Sequence, residues 1–340
     1  MAALSSQRDA PLLSVRDLAV SFGSRGRRTR VVHGIDLTVS AGETLAIVGE
    51  SGSGKSVTAQ AVMGLLPPAT GKIDGGSIFY RGVDLLARPP AYTRALCGPE
   101  MAMIFQDPLS SLNPVFRVGW QIGETLRRFR GVSRRKARDK AIELMQRVGI
   151  PAAEQRVDDF PHQFSGGMRQ RVMIAMALAL QPKLLIADEP TTALDVTVQA
   201  QIMDLLQRLK REEDMALILI THDLGLVAET ADRVLMMYSG GAVETGPIRE
   251  VYERSAHPYT RGLLGSIPSR TEIGQRLVPI RGTLPDPRDL PPGCPFAPRC
   301  DFAVPACLEA RPPLLAIEGL SSTHRAACNR AEEVAHVSIP

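Results

Sequence analysis

The sequence contains no apolar run that is long enough to cross a membrane as a helix. Its longest uninterrupted apolar stretch, Val172 to Leu180, has nine residues, whereas a spanning helix needs about 20. The first ten residues also lack the apolar core of a secretory signal peptide. These absences predict a protein that stays in the cytoplasm, so that any membrane span would have to come from another chain.

An excess of charge of one sign is also missing. The formal net charge is only +4, from 40 basic and 36 acidic residues, which is too small to indicate a nucleic-acid partner by itself. No sustained heptad pattern occurs between Lys55 and Asp188. With 340 residues and 44% hydrophobic content, the chain can form one large α/β domain and an appendage.

A glycine-rich octapeptide carries the clearest chemical signal. It fits the phosphate-binding pattern G-x-x-x-x-G-K-[ST] and reads Gly49-Glu50-Ser51-Gly52-Ser53-Gly54-Lys55-Ser56. The apolar run from Thr44 to Val48 predicts a buried strand before it, and a helix is predicted after it. Glycines let backbone amides wrap around an anion. We therefore expect a nucleoside triphosphate here, with Lys55 at the β- and γ-phosphates and Ser56 on Mg²⁺.

Two carboxylates at the end of another apolar run predict the second half of the site. The run from Leu184 to Ala187 predicts a buried strand, which ends at Asp188 and Glu189. Asp188 is placed to hold Mg²⁺, and Glu189 can polarise the attacking water as a general base. Alone, the pattern would be a strand end with two solvated acids, but the phosphate loop upstream favours the catalytic interpretation.

A second anion site is indicated where a Ser-Gly-Gly turn opens a helix predicted from Met168 to Leu180. A hydroxyl, free backbone amides and the positive end of a helix dipole meet at Ser165, Gly166 and Gly167. One triphosphate needs only one cradle, so a second cradle suggests closure on nucleotide held by another subunit. A plain glycine turn before a core helix explains this stretch equally well by itself.

The ordered set of motifs resembles that of ATP-binding-cassette (ABC) ATPases. The resemblance implies a P-loop NTPase nucleotide-binding domain of α/β class, with a RecA-like core, an antiparallel β subdomain and a helical subdomain. It implies that Phe22 stacks on adenine, that Gln106 senses the γ-phosphate and Mg²⁺, and that His222 is the switch histidine. The remaining matches lie at the presumed dimer interface: Ser165, Gly166 and Gly167 of the signature, and Asp195 of the loop that crosses the interface.

Longer stretches resemble the ATPase subunits of bacterial dipeptide and oligopeptide importers, a group that also contains nickel and antimicrobial-peptide importers. These stretches are residues 106–114, 161–177 and 188–197. The chain departs from the commoner ABC signature at Phe164 and Met168, where leucine and glutamine are usual, but the Ser-Gly-Gly turn is intact.

The importer resemblance implies the direction of transport and the partners. It implies a head-to-tail dimer with a second ATPase subunit, either a paralogue or an identical chain, and two membrane permease subunits. A periplasmic binding protein would take part indirectly, and no nucleic acid is expected. The chain would then be peripheral, on the cytoplasmic face of the inner membrane.

The motif order predicts where the domains lie. We expect the ABC nucleotide-binding domain over residues 1–250, with a helical subdomain at 107–164, and a C-terminal extension over 251–340. The extension holds 13 of the 26 prolines and four of the five cysteines, a density of proline that disfavours helices and central strands. A basic run in the helical subdomain fits either a solvated helix face or contact with anionic lipid: Arg127, Arg128, Arg130, Arg134, Arg135, Lys136 and Arg138.

Four cysteines cluster in the extension, at Cys294, Cys300, Cys307 and Cys328. Stable disulfides are not expected in the cytoplasm, so a metal is the better explanation. Zinc sites usually show C-x₂₋₄-C pairs, and none occurs here. Four thiolates also suit a [4Fe–4S] cluster, which the importer resemblance implies. Zinc, with His324 as a spare ligand, and reduced thiols without metal remain as alternatives.

Taken together, the sequence predicts the ATP-hydrolysing subunit of a peptide-type importer, which uses ATP and Mg²⁺ to drive separate permeases. A related importer for nickel or antimicrobial peptides is the alternative. A soluble ABC ATPase acting on DNA or ribosomes is the rival from another class, but the absence of long coiled coils and of a second cassette disfavours it. The ATPase of an exporter is a third possibility.

Overall fold

The computed structural model describes residues 10–24, 26–107, 111–192, 194–266 and 280–337. Residues 1–9, in which the sequence predicts no signal peptide, lie outside the described residues. So do residues 108–110 of the first importer-like stretch and Ala193 beside the Asp195 loop.

The described residues form both strands and helices. The strands are β1 Leu13–Ser24, β2 Arg27–Val39, β3 Thr44–Val48, β4 Gly71–Tyr80, β5 Val83–Asp84, β6 Met101–Ile104, β7 Leu184–Asp188, β8 Ala216–Thr221, β9 Arg233–Tyr238, β10 Gly241–Pro247, β11 Leu315–Ala316 and β12 Arg325–Ala326. The α-helices are α1 Lys55–Val62, α2 Pro90–Leu96, α3 Val118–Arg130, α4 Arg134–Arg147, α5 Ala153–Arg156, α6 Gly166–Leu178, α7 Val196–Glu213, α8 Leu224–Thr230, α9 Ile248–Glu253, α10 Pro258–Gly265, α11 Ala306–Glu309 and α12 Ala331–His336.

The chain divides into two compact units. Unit 1 comprises Met1–Ser40, Thr44–Ala87 and Ile220–Pro340, and unit 2 comprises Ala41–Glu43 and Arg88–Leu219. Unit 1 therefore includes residues on both sides of position 250, where the sequence places the start of the extension. That domain boundary stays a prediction.

Unit 1 contains two sheets. In the first, the strand order is β2-β1-β4-β5, with antiparallel neighbours. In the second, β3 pairs in parallel with β9, and β9, β10, β12 and β11 continue as antiparallel neighbours. All five residues of β3 are buried. A strand that is covered on both faces needs a continuous apolar run, which explains the composition of β3. The strand predicted before the phosphate loop and the helix predicted after it, α1, are both confirmed.

The C-terminal residues form mostly short elements within unit 1. Strands β11 and β12 have two residues each and extend the sheet beyond β10. The 3-10 turn Ala297–Arg299 lies between Cys294 and Cys300. Helix α10 is longer, with eight residues, although proline disfavours helices. Pro258 occupies its first turn, where a missing backbone N–H costs nothing.

Unit 2 holds the helices predicted for the helical subdomain and the parallel pair β6 and β7. Helix α4 begins after Ser133, whose Oγ accepts a hydrogen bond from the Lys136 N–H. Its predicted apolar face is confirmed, since the residues at helical spacing are all buried: Ala137, Ala141, Leu144, Met145 and Val148. Among the described residues, no helix has the length and apolar character needed to span a bilayer.

Candidate nucleotide-binding site

The phosphate loop in unit 1 connects β3 to α1 and depends on its glycines. Gly52 and Gly54 have left-handed backbone conformations, with φ of 84° and 96°. A Cβ atom on Gly49 would lie 2.2 Å from the Met237 carbonyl oxygen. The backbone is therefore pressed against β9, and its amides are left to line a concave turn at the start of a helix. This arrangement suits an anion.

Lys55 is the first residue of α1 and is 5% exposed. Its Nζ donates hydrogen bonds to the carbonyl oxygens of Gly49, at 2.7 Å, and Glu50, at 3.0 Å. Ser56 follows in the same helical turn, and Ser53 Oγ is buried without a hydrogen-bond partner among the described residues. A held cation, a glycine-rich cradle and an unused hydroxyl fit the phosphates of a nucleotide and its Mg²⁺.

Two further predicted residues belong to unit 1. Phe22 lies on β1, half-buried, and its ring comes 3.3 Å from the Cβ position of Gly71. His222 is exposed directly after β8. The next residue, Asp223, begins α8 and accepts a hydrogen bond from the Leu226 N–H at 3.1 Å. The structure thus leaves part of the Phe22 ring and the His222 side chain accessible.

Unit 2 carries the predicted carboxylates at the end of β7. Asp188 is the last residue of that strand and is 4% exposed. Glu189 has a φ of 46°, which is uncommon for a residue with a side chain. Its Oε2 accepts hydrogen bonds from Gln106 Nε2 and from Thr192 Oγ1, each at 2.9 Å. The structure therefore brings together Gln106 and Glu189, two residues that the sequence assigns to the reaction.

The signature turn lies at the start of α6 in the same unit. Ser165 is exposed, and its Oγ accepts from the Met168 N–H at 3.4 Å. A Cβ atom on Gly167 would lie 2.7 Å from Val198 Cγ1, so only glycine allows this approach to α7. Asp195 caps α7 by accepting from the Val198 N–H at 2.9 Å. The signature and the Asp195 loop are thus packed together.

The departure from the usual signature has a physical explanation at Phe164. Its side chain is 2% exposed, and the Arg156 guanidinium lies 5.9 Å from the ring centroid. Phe164 is therefore a buried apolar anchor, whereas Ser165 and Gly166 beside it are exposed.

Three residues that contribute to these motifs were not predicted from the sequence. Thr192 supports Glu189, and its place in a Thr-Thr pair three residues after the acid was the available signal. Tyr259 and Arg299 both contact Glu50 of the phosphate loop. No spacing rule connects them to the loop.

The four clustered cysteines lie near one another in unit 1. Cys294 N–H donates to the Cys307 carbonyl oxygen at 2.8 Å, and the Arg330 N–H donates to Cys328 Sγ at 3.4 Å. Burial raises the pKa of the Cys300 and Cys328 thiols to about 11, and the neighbouring sulfurs add to the effect. Within the described part of the chain, however, no three His, Cys, Asp or Glu side chains are arranged to hold a metal ion.

His324, the spare ligand of the zinc alternative, has another partner. It is fully buried, and its Nε2 lies 2.8 Å from Glu244 Oε1. This pairing fixes His324 to β10, and its role as a spare zinc ligand stays a prediction.

Comparisons with known proteins agree with these motifs. Residues 32–192 match the ABC transporter family, and residues 243–307 match the C-terminal region of oligopeptide/dipeptide transporters. A peptide import ATP-binding protein of Brucella melitensis is 51% identical over 336 residues, 96% of this chain and 98% of that protein. Another, from Brucella abortus, is 52% identical over 307 residues, 90% of this chain and 92% of that protein.

Solved structures show the same cassette fold. A dimeric ATP-binding cassette in a post-hydrolysis state with ADP and Pi matches with a TM-score of 0.62 and 25% identity, over 70% of this chain and 99% of that one. A Clostridium perfringens protein, part of an ABC transporter complex, matches with a TM-score of 0.61 and 28% identity, over 72% of this chain and 91% of that one. The chain belongs to the ABC transporter family, among the peptide import ATP-binding proteins.

Proposed function

We propose that the chain hydrolyses ATP to drive the uptake of di- and oligopeptides through separate permease subunits. The observation that carries this proposal is the contact between Gln106 and Glu189 at the end of a buried strand, in a chain with an intact phosphate cradle. The peptide cargo is supported by the printed names of the relatives and by the matching C-terminal region.

The chemistry assigns a role to each motif. The amides of residues 49–54 and Lys55 Nζ would bind the phosphates, and Phe22 would stack on the adenine. Ser56, Asp188 and Gln106 would hold Mg²⁺, which neutralises charge that develops on the phosphates. Glu189 would accept a proton from the attacking water, while His222 would sense the γ-phosphate. Since positioning dominates phosphoryl transfer, the support from Thr192 and Gln106 is as important as the base itself.

A second ATPase subunit would complete each site. Ser165 and Gly166 are exposed at the N-terminal end of the 13-residue helix α6, where amides and dipole favour an anion. The dimeric cassette with ADP and Pi supports a sandwich arrangement. We propose a head-to-tail dimer with a paralogous subunit, in which each signature and Asp195 face the other chain's nucleotide.

A membrane partner would dock beside Gln106. Phe105, Phe116 and Trp120 are each about two-fifths exposed, and Phe116 stacks on Trp120 with ring centroids 4.3 Å apart. A cavity of about 460 Å³ next to Phe105 is lined by methionines from β6 and α6. An apolar surface of this kind marks an interaction site. It supports contact with permeases at the cytoplasmic face of the inner membrane, with the periplasmic binding protein acting only through them.

For the C-terminal extension, residues 251–340, we propose a [4Fe–4S] cluster on Cys294, Cys300, Cys307 and Cys328. The amide of Arg330, which donates to Cys328 Sγ, supports it, because hydrogen bonds to sulfur are a feature of cluster ligands. Among the described residues the thiols are not arranged around a metal ion, so cluster binding would require them to move together and lose their protons. Iron and zinc analysis of protein prepared without oxygen distinguishes the metals. About four irons per chain would support the cluster, whereas stoichiometric zinc or no metal would contradict it.

The catalytic assignment is tested by Glu189→Gln. The amide keeps the size of the side chain but cannot accept a proton, so ATP should still bind while hydrolysis falls by about 10³-fold. Exposed Glu154, which lies 3.5 Å from Gln146 Nε2, offers the control Glu154→Gln with unchanged hydrolysis. Wild-type turnover in Glu189→Gln would refute the assignment.

A further inference from the structure

Glu50, the second residue of the phosphate loop, is held by two side chains from the C-terminal part of unit 1. The Glu50 N–H donates to the Tyr259 hydroxyl at 2.8 Å, across 209 residues of sequence. Arg299 Nη1 lies 3.1 Å from Glu50 Oε2, across 249 residues. Tyr259 and Arg299 both lie outside the nucleotide motifs, so the nucleotide-binding role does not account for their contacts with Glu50.

Arg299 is itself firmly placed. Its side chain is 7% exposed, and its Nη1 also donates to the Tyr238 hydroxyl at 3.2 Å. Arg299 Nε donates to the Arg281 carbonyl oxygen at 2.7 Å, and the guanidinium lies 5.7 Å from the ring centroids of Tyr238 and Phe296. An arginine with a fixed fork and aromatic contacts loses little additional freedom when it pairs with Glu50.

Tyr259 is equally constrained. It is fully buried, and its ring centroid lies 4.8 Å from that of Tyr238 and 5.5 Å from that of Phe296. Burial raises the pKa of Tyr259, so the phenol stays neutral and its oxygen can accept from the Glu50 amide. These rings belong to an apolar cluster against which Cys294 and Cys300 also pack.

Glu50 connects these contacts to the phosphate cradle. Its carbonyl oxygen accepts from the Ser53 N–H at 3.2 Å and from Lys55 Nζ at 3.0 Å. Its carboxylate places a negative charge in a loop whose ligand is a polyanion, and a like charge disfavours such a ligand. Arg299 offsets that charge and fixes the carboxylate.

We propose that Arg299 and Tyr259 are positioning residues for the phosphate loop, through which the cysteine-bearing C-terminal segment sets the affinity for triphosphate. The inference rests on the proposed function, because it takes ATP to be the ligand of the loop. Arg299 directly precedes Cys300, so the side chain that contacts Glu50 belongs to the cysteine segment itself. Coupling between distant groups of this kind commonly amounts to 5- to 150-fold in affinity, that is, on the order of tenfold.

The first test measures equilibrium binding of ATP to the full chain. Arg299→Gln should raise the Kd for ATP about tenfold, and Tyr259→Phe, which removes only the hydroxyl, about fivefold. In hydrolysis the same variants should raise KM and leave kcat unchanged. Matched controls are Arg288→Gln, which breaks the exposed pair with Asp286 in the same segment, and Tyr252→Phe, whose hydroxyl donates to Leu224.

A charge-rescue cycle separates positioning from a merely structural role. If Arg299 acts by offsetting the Glu50 carboxylate, then Glu50→Gln in the Arg299→Gln background should restore most of the ATP affinity. Additive losses in the double variant, or a wild-type Kd in Arg299→Gln, would overturn the inference. Lys55→Ala identifies the other failure: if that variant binds ATP normally, the loop is not the ATP site and the proposed function fails instead.

Discussion

Glu189 shows how a single residue can combine backbone strain with fixed side-chain contacts. Its φ of 46° costs free energy and persists only where the surroundings determine it. The hydrogen bonds from Gln106 and Thr192 supply that determination. The carboxylate is thus oriented by contacts within the protein, as the proposed general base would require.

The phosphate loop allows a prediction at the same scale. Gly49→Ala places a Cβ atom against the Met237 carbonyl, so it should lower the free energy of unfolding by about 1–3 kcal/mol and weaken ATP binding. Gly75→Ala is the control, because nothing lies within 4 Å of its Cβ position. Urea unfolding measures both. Equal stability of the two variants would mean that position 49 tolerates a Cβ atom despite the nearby Met237 carbonyl.

At the scale of elements, side chains cap the N-termini of three helices that contain or flank candidate site residues. Helices α6 and α7 begin at the side-chain caps Ser165 and Asp195. Helix α10, which contains Tyr259, begins at His257, whose Nδ1 accepts from the Tyr259 N–H at 3.1 Å. His257 is 1% exposed, and burial lowers its pKa to about 3.

A pH prediction follows from that cap. The folded state binds a proton at His257 only near pH 3, whereas the unfolded chain binds one near pH 6.5, so stability present above pH 6.5 is lost as the pH falls. His257→Asn keeps a cap acceptor without titrating. As the pH is lowered from about 7 to 4, the midpoint temperature of thermal unfolding should therefore fall less in His257→Asn than in the wild type. Parallel pH profiles would contradict the prediction.

The sequence predicted the local elements better than the contacts between distant ones. Strand β3, helix α1 and the buried face of α4 follow from short-range pattern, and so they could be predicted. Tyr259 and Arg299 reach Glu50 across more than 200 residues, which no periodicity encodes. The close approach of Gly167 to Val198 likewise depends on packing. The family and the expected partners were predicted from the resemblance to importer ATPases, and not from periodicity.

For the whole molecule, the proposal requires two chains. The Ser-Gly-Gly turn is exposed, and the phosphate loop belongs to the other compact unit of the same chain. A sandwich would pair each loop with the signature of a partner, so that damage to one motif acts on the nucleotide of the other chain.

Ser165→Arg tests that arrangement. The substitution should abolish hydrolysis by the variant alone while ATP still binds at its own Lys55. Mixing it with a subunit that keeps an intact signature, either the paralogue or the Lys55→Ala form of this chain, should restore one of two sites in mixed dimers. Ser133→Arg, at the exposed cap of α4, is the matched control and should stay active. Full activity of Ser165→Arg alone would exclude the sandwich.

Peptide uptake tests the central claim most directly. Vesicles that contain the chain with its permeases and binding protein should accumulate a labelled dipeptide only when ATP is supplied on the side of this chain. Vesicles with the Glu189→Gln chain should bind ATP and accumulate none. ATP-dependent accumulation at the wild-type rate with Glu189→Gln, or none with the wild-type chain, would contradict the account.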